Sequence, residues 1–330
     1  GQGLLQQVPH DHGEQQHLMN LLTSLRYLVA LNEHRHFARA AQACHITQPA
    51  LSNALRALEA EFGAVIVRRG RVFGGLTPEG EQVLATALSM LKAEEALRQD
   101  LSVGAGQLKG KLRMAAVPTA MPMLTRFAAL LRAQHPGITP MVLSMSSLEI
   151  ETGLEDLSLD LALGYSDRLL ARESARISVW PQYQEHYFLL SPATEKSSQK
   201  AVKWAQAAKL PLCLLTPDMH NRLIVDQSFK AAGCEVSAAM ETNSVLSLMM
   251  AVSDGGLHSV LPGALVATLP EAAALNVRPL ITPQVQTAIA FLTQPKETAT
   301  RALLAAMALM ETTQWREQCT RFAGAVRDRA

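Results

Sequence analysis

Gln48, Ser52, Asn53 and Arg56 fall on one face of a helix opened by Thr47-Gln48-Pro49. Their amide, hydroxyl and guanidinium groups have the reach to bond base edges in a DNA major groove or to hold phosphates. Gln48 and Asn53 suit adenine, and Arg56 suits phosphate. Taken singly, each is also an ordinary solvated residue. Further along, Arg68, Arg69 and Arg71 cluster at a glycine-containing tip. Guanidinium groups placed there gain from phosphate and from the potential of a narrow minor groove.

These groups need short, rigid elements to hold them. Leu21, Leu22, Leu25, Leu28, Val29 and Leu31 recur at helical spacing, predicting a first helix from Asn20, its candidate N-cap, to about His34. Phe37, Ala40 and Ala41 predict a second helix whose small residues admit a close neighbour. Thr47 caps the third, Pro49 fits its first turn, and Leu51, Leu55 and Leu58 form its buried stripe. Residues 64–76 then read as a small hairpin. Between Met19 and Phe73 seven arginines face three acids, a local basic excess that the whole-chain charge of +1 conceals.

The runs Phe37-Ala-Arg-Ala-Ala, Ile46-Thr-Gln-Pro-Ala-Leu-Ser, Leu58-Glu-Ala-Glu-Phe-Gly and Leu76-Thr-Pro-Glu-Gly resemble, in order and spacing, the N-terminal signature of LysR-type transcriptional regulators. The resemblance implies a winged helix-turn-helix with recognition contacts at Gln48, Pro49, Ala50 and Ser52 and a wing arginine at Arg69. Asn53 departs from the arginine common there. The candidate DNA-binding set is Arg39, Thr47, Gln48, Pro49, Ala50, Ser52, Asn53, Arg56, Arg68, Arg69 and Arg71. The implied partners are double-stranded DNA at an interrupted palindrome, further copies of the chain as a homodimer or homotetramer, and RNA polymerase.

From Thr77 to about Val103, Val83, Leu84, Ala87, Leu88, Leu91 and Leu97 predict one long helix with a near-heptad stripe. It either packs on its own domain or pairs with a second copy. Residues 103–110 are Gly-rich and read as a hinge. Strands and helices then alternate in two sets, predicting mainly parallel α/β lobes. This two-lobed pattern resembles the periplasmic-binding-protein-like sensor of the same family. The expected fold is multidomain: residues 1–18 a disordered tag or extension, 19–76 an all-α winged helix-turn-helix domain, 77–106 a linker and dimerisation helix, and 107–330 an α/β effector-binding domain. Within it, lobe I takes about 110–181 and 283–318 and lobe II about 182–282.

Strand-to-helix turns present free backbone N–H groups and the positive end of a helix dipole. Pro118-Thr119-Ala120, Ser146-Ser147 with Glu149 as a candidate capping box, and Thr242-Asn243-Ser244 are three such turns. A fourth brings His220 and Arg222, which suit a carboxylate or another small anion, although Arg222 can equally pair with Asp218 or Asp226. The candidate effector set is Thr119, Ala120, Ser146, Ser147, His220, Arg222 and Asn243, for a small anion. The pattern is also similar to that of regulators of formate dehydrogenase genes, which implies formate as a candidate. His258, where many relatives carry Gly, faces either the cleft or the core.

Hydrophobic residues at 48% and charged residues at 18% exclude a disordered chain. No apolar run reaches the roughly 20 residues a membrane helix needs, and residues 1–17 lack the apolar centre of a secretory signal, so a cytoplasmic protein with no membrane partner is expected. Cys44, Cys213, Cys234 and Cys319 show no metal-ligand spacing; a Cys213–Cys234 redox pair stays open. No GxSxG elbow, Walker loop, HExxH or dinucleotide fingerprint occurs, so neither catalysis nor a cofactor is expected. Two rival readings remain, an effector-independent DNA-binding protein and a solute-binding protein.

Overall fold

The computed structural model describes residues 12–70, 73–104, 106–167, 177–193, 200–269, 275–295 and 298–324. They form two compact bodies, residues 1–97 and 98–330. The division falls inside one continuous helix.

In the first body, α1 spans His12–His34, α2 Phe37–Ala43, α3 Gln48–Phe62 and α4 Pro78–Gly104. The first helix starts eight residues earlier than expected, so Asn20 lies inside it and is not its cap. Glu14, Gln15 and Gln16 tolerate helical backbone, and no glycine or proline follows Gly13 to interrupt it. Leu25, Leu28, Leu31, Ala40, Ala41, Leu51, Leu55 and Leu58 make one core with Ile66, Val67, Leu84 and Ala87. Ala40 and Ala41 are fully buried, as a close approach of α2 to its neighbours requires. The hairpin is minimal, a single bridge between Val67 and Leu76.

The stripe on α4 splits in two. Its first half, with Val83, Leu84, Ala87 and Leu88, packs on the body's own core. Met90, Leu97 and Leu101 stay exposed. The last turns of α4 are already fixed to the second body, where Gln99 Oε1 accepts the Ala302 N–H at 2.8 Å and Asp100 pairs with Arg301 at 2.6 Å. The expected hinge at 103–110 therefore lies beyond the point where the two bodies divide. Gly110 is required in this packing because a Cβ there would meet the Gln99 side chain.

The second body holds β1 Gly110–Ala116, α5 Met121–Gln134, β2 Ile138–Ser144, α6 Ser147–Glu155, β3 Leu161–Tyr165 and β4 Ser178–Pro192. There follow β5 Val202–Lys203, α7 Trp204–Ala207, β6 Cys213–Leu215, α8 His220–Ala231, β7 Met240–Thr242, α9 Val245–Ser253 and β8 Ser259–Pro262. The chain closes with α10 Gly263–Val266, β9 Leu275–Ile281, β10 Gln286–Thr293, α11 Arg301–Met310 and α12 Thr313–Phe322. The principal sheet runs β2-β1-β3-β10-β4-β9-β5, with β8 also on β4.

The sheet is mixed, which corrects the mainly parallel expectation: β1–β2 and β1–β3 are parallel, whereas β10 is antiparallel to β3 and β4, and β4 to β8 and β9. The reason is one long strand. Residues 178–186 of β4 pair with β10 in lobe I, and residues 187–192 pair with β8 and β9 in lobe II. A strand that changes lobes cannot be wound in by helical crossovers alone. Lobe I closes on Phe127, Phe291 and Trp315, whose rings meet at 4.5–5.8 Å. Lobe II has separate cores around Trp204 and Phe229 and around Leu248 and Leu261.

Candidate DNA interface and effector cavity

Between α2 and α3 the chain turns through His45 at φ 56°, and the Ile46 N–H returns to the Ala41 carbonyl at 3.0 Å. The Thr47 hydroxyl accepts the Ala50 N–H, and Pro49 sits in the first turn, as expected. With Leu51, Leu55 and Leu58 buried, the opposite face of α3 presents exposed Gln48, Asn53 and Arg56 and half-buried Ser52. Thr47, Pro49, Ala50, Arg39, Arg68 and Arg69 are also exposed, while Arg71 lies outside the described residues. Arg56 donates to the Asn53 carboxamide at 3.4 Å, so an incoming base or phosphate must compete with that contact.

A residue absent from the candidate set organises this surface. The Glu59 carboxylate, on α3, accepts the N–H groups of Ile66 and Val67, each at 3.0 Å, and the Arg69 guanidinium at 2.6 Å. The reading helix thus clips the base of the wing. Arg69 is half-neutralised and positioned, rather than a free cation. Arg35 stacks on Phe73 at the other side of the hairpin, 4.9 Å from the ring centroid. Gly80 completes the joint: a Cβ there would fall 2.2 Å from the Ile66 carbonyl, so only glycine lets α4 start against the wing. Glu59→Ala is expected to cost about 2 kcal/mol of stability and to weaken binding evenly across DNA sequences. A footprint and melting temperature equal to wild type would count against this clip.

In the second body, the starts of α6 and α8 and the turn at Pro118 meet at a small cavity. It is lined by Val117, Pro118, Thr119, Ser146, Ser147, Leu215, Met219, His220 and Asn221, with about 10 Å³ of room for a water centre. Ser146 and Glu149 form the expected capping box, with bonds of 3.3 and 2.7 Å. The Ser147 hydroxyl is buried without a partner. Met219 caps α8 without a side-chain bond, leaving the first amides of that helix uncovered by any side chain. His220 stacks on Tyr165 at 4.5 Å; its Nε2 lies 3.2 Å from Asp167 Oδ2, within ion-pair distance but at an angle that makes no hydrogen bond.

Four of the expected effector residues, Thr119, Ser146, Ser147 and His220, are therefore brought together. Three are not. Ala120 is fully buried in the lobe I core. Asn243 borders a different, largely apolar groove of about 870 Å³ beside Met121, Val245 and Leu246. Arg222 is turned away: its Nε bonds Asp226 at 2.8 Å, and its Nη1 bonds Glu241 at 2.7 Å and the Leu215 carbonyl at 2.6 Å. A guanidinium with three acceptors tying α8 to β6 and β7 has no fork left for an anion. Asn221 lines the cavity and was missed because it reads as a routine polar helix residue. His258 takes its core alternative, 5% exposed with Nδ1 2.9 Å from the Ser191 hydroxyl.

Behind the cavity lies a buried polar chain. Tyr165 OH meets the Thr119 hydroxyl at 3.2 Å, accepts from Asn221 at 3.2 Å and donates to Glu185 Oε2 at 3.2 Å. Tyr187 OH reaches the same Glu185 oxygen at 3.4 Å and Thr287 at 3.3 Å. Burial pushes the Glu185 carboxyl up to about 8, against the lowering effect of the two tyrosine hydroxyls. Tyr165 and Tyr187 are held well above the usual phenol range, first by burial and then by Glu185.

A helix-turn-helix with a clipped wing, followed by a two-lobed body with a small cavity where helix starts from both lobes meet, has the architecture of a DNA-reading regulator with a small-molecule receptor. Residues 22–81 match the bacterial regulatory helix-turn-helix protein, lysR family, and residues 105–314 match the LysR substrate binding domain. The chain belongs to the LysR family of transcriptional regulators; it is a DNA-binding regulator and not an enzyme. It is 30% identical over 247 residues to a probable hydrogen peroxide-inducible genes activator of Mycobacterium avium, covering 73% of this chain and 76% of that one. It is 26% identical over 260 residues to a probable HTH-type transcriptional regulator, LrrA, of Synechococcus elongatus, covering 78% and 86%. Among solved structures it is similar to a full-length OxyR variant from Pseudomonas aeruginosa, with a TM-score of 0.65, 26% identity and coverage of 88% and 96%. Full-length CbnR in complex with its target DNA shares the fold, with a TM-score of 0.62 at 21% identity, covering 88% and 98%. Among the described residues, no helix is long and apolar enough to cross a membrane.

Proposed function

We propose that this regulator works in the cytoplasm as a self-associated dimer or tetramer that reads an interrupted palindrome, contacts RNA polymerase, and senses a small anion, formate being one candidate, in the cavity lined by Thr119, Ser146, Ser147, His220 and Asn221. Residues 19–76 do the reading, 77–106 link and dimerise, and 107–330 sense. One observation carries the effector class: the starts of two helices, one from each lobe, converge on a space the size of a single water or carboxyl group beside an unpartnered serine hydroxyl. A large apolar ligand has no room there. Self-association is supported by exposed Met90, Leu97 and Leu101, which share a stripe on α4.

Several curated relatives are named for induction by hydrogen peroxide. Cys213 and Cys319 are poorly suited to a thiol route, because burial holds the Cys213 thiol above its ordinary range and pushes Cys319 up to about 12. Thiols held neutral are poor nucleophiles toward peroxide.

A thermal-shift screen of formate, acetate, nitrate and phosphate, followed by footprinting with each hit, tests the effector reading. A stabilisation of about 2.7 kcal/mol is expected at an anion concentration 100 times Kd, and it should be lost in Ser147→Val, which fills the cavity. If no small anion raises the melting temperature, the effector class is wrong. On the DNA side, Gln48→Ala should weaken specific binding by about 1–3 kcal/mol, whereas Arg69→Ala should weaken all sequences alike and flatten the salt dependence. Unchanged affinity in both variants would remove the reading role from α3 and the wing.

A further inference from the structure

The sensing cavity is backed by a hydrogen-bond chain that ends on a carboxyl group at the strand joining the two lobes. Glu185 stands opposite Thr287 on β10, at the end of the lobe I pairing of β4, and Tyr187 begins the lobe II pairing. Its side chain is fully buried, and its Oε1 has no hydrogen-bond partner. The titratable groups around it are Tyr165 on β3 and Tyr183 and Tyr187 on β4; Asn221 on α8 and Thr287 on β10 complete the polar surroundings. Among the described residues, no cation acts on it. Among them a carboxylate in that position finds neither a counter-ion nor an acceptor's full set of donors, so the neutral acid is favoured.

The two protonation states order the chain in opposite senses. With Glu185 ionised, Tyr165 donates to Oε2 and accepts from both Asn221 and Thr119. The Thr119 proton then points away from the cavity, which sees only hydroxyl lone pairs. With Glu185 protonated, the acid donates to the Tyr165 oxygen. Tyr165, still accepting from Asn221, turns its own proton to the Thr119 oxygen, and the Thr119 proton is released toward the cavity. In the acid order the Thr119 proton has no protein acceptor and waits for one supplied by a ligand, so the two states differ in what they offer the cavity.

We propose that Glu185 is a proton-binding positioning residue of the effector cavity: in its acid form it makes the Thr119 hydroxyl a donor to a bound anion, so that anion binding requires the acid and, where the free protein has lost that proton, brings one onto Glu185. The inference rests on the effector reading above. Neither Glu185 nor Tyr165 lines the cavity; both act through Thr119 and Asn221. His220 stacks on Tyr165 with Asp167 beside it and is a second titrating group near the ligand. E185Q retains His220, so any contribution of that imidazole is common to both proteins and drops out of their comparison.

Formate binding to the full chain is measured by calorimetry from pH 7.5 to 9.5, in wild type and Glu185→Gln. The infrared carbonyl band of a buried protonated carboxyl is followed in the ligand-free protein. Wild-type Kd is expected to rise toward tenfold per pH unit above about pH 8, while E185Q, whose carboxamide donates to Tyr165 at every pH, stays within about twofold. The infrared band should be present at pH 7 in wild type, fade with a midpoint near 8 and be missing from E185Q. Formate binding with no pH slope in wild type, or with the same slope in E185Q, overturns the coupling while leaving the cavity reading intact. Absence of the band at pH 7 overturns the protonated acid directly. If neither protein binds formate or acetate at any pH, the cavity reading fails and the coupling with it.

Discussion

Arg222→Ala is expected to destabilise the second body by about 3 kcal/mol and to leave the anion-induced thermal shift in place. The guanidinium is 8% exposed and joins three pieces of lobe II: Asp226 one turn along α8, the Leu215 carbonyl at the end of β6, and Glu241 on β7. Truncation leaves the Leu215 carbonyl buried without its donor. Asp226 and Glu241, each 44% exposed, recover part of their hydration, which keeps the loss below that of a fully buried pair. For a body of about 230 residues the change corresponds to roughly 6–12 °C in melting temperature. Arg222→Lys should recover part of it, since an ammonium cannot bond all three acceptors in the fork geometry. A variant that melts like wild type yet has lost its response to anions would restore Arg222 to the cavity.

This reversal of role shows where sequence reasoning succeeds. The helix-turn-helix was legible because its signals are local: Thr47 three residues before Ala50, Pro49 in a first turn, and leucines at 51, 55 and 58. The Ser146–Glu149 capping box was legible for the same reason. Arg222 was legible in part: its i,i+4 bond to Asp226 was the alternative the spacing left open, whereas the distance to Glu241 is set by the pairing of β6 with β7, which no spacing in the chain encodes. Glu59 was hidden inside a family signature, where it reads as a solvated helix residue until the wing folds back on it. The first half of β4 carries no clear strand pattern, because Pro181, Gln182, Gln184 and Glu185 put a ring and polar side chains where apolar alternation would mark a strand. The strand survives there through a register shift opposite Ile289 and Ala290 and through burial of Glu185 against two tyrosines. A lone acid in a polar stretch gives no sign that it will be enclosed.

That enclosure carries the largest effect of pH. In the folded chain Glu185 titrates at about 8, against an ordinary value of 4.5. Between those limits the native state holds a proton that the unfolded chain has released, so stability falls as pH rises through the window and levels off above it. A displacement of this size corresponds to a loss on the order of 4–5 kcal/mol at 1.36 kcal/mol per pH unit. Full burial leaves no solvent screening to reduce it. Glu185→Gln removes the ionisation and keeps the shape and a donor for Tyr165. The two proteins should therefore melt alike near pH 5, and E185Q should melt higher near pH 9. The neighbouring tyrosines ionise only above this window. His186, whose value burial lowers, titrates below pH 6.5 in both proteins and cancels in the difference. Melting curves that stay parallel from pH 5 to 9 would mean that Glu185 is ionised throughout. Its missing cation would then have to be supplied by a group not facing it in this structure.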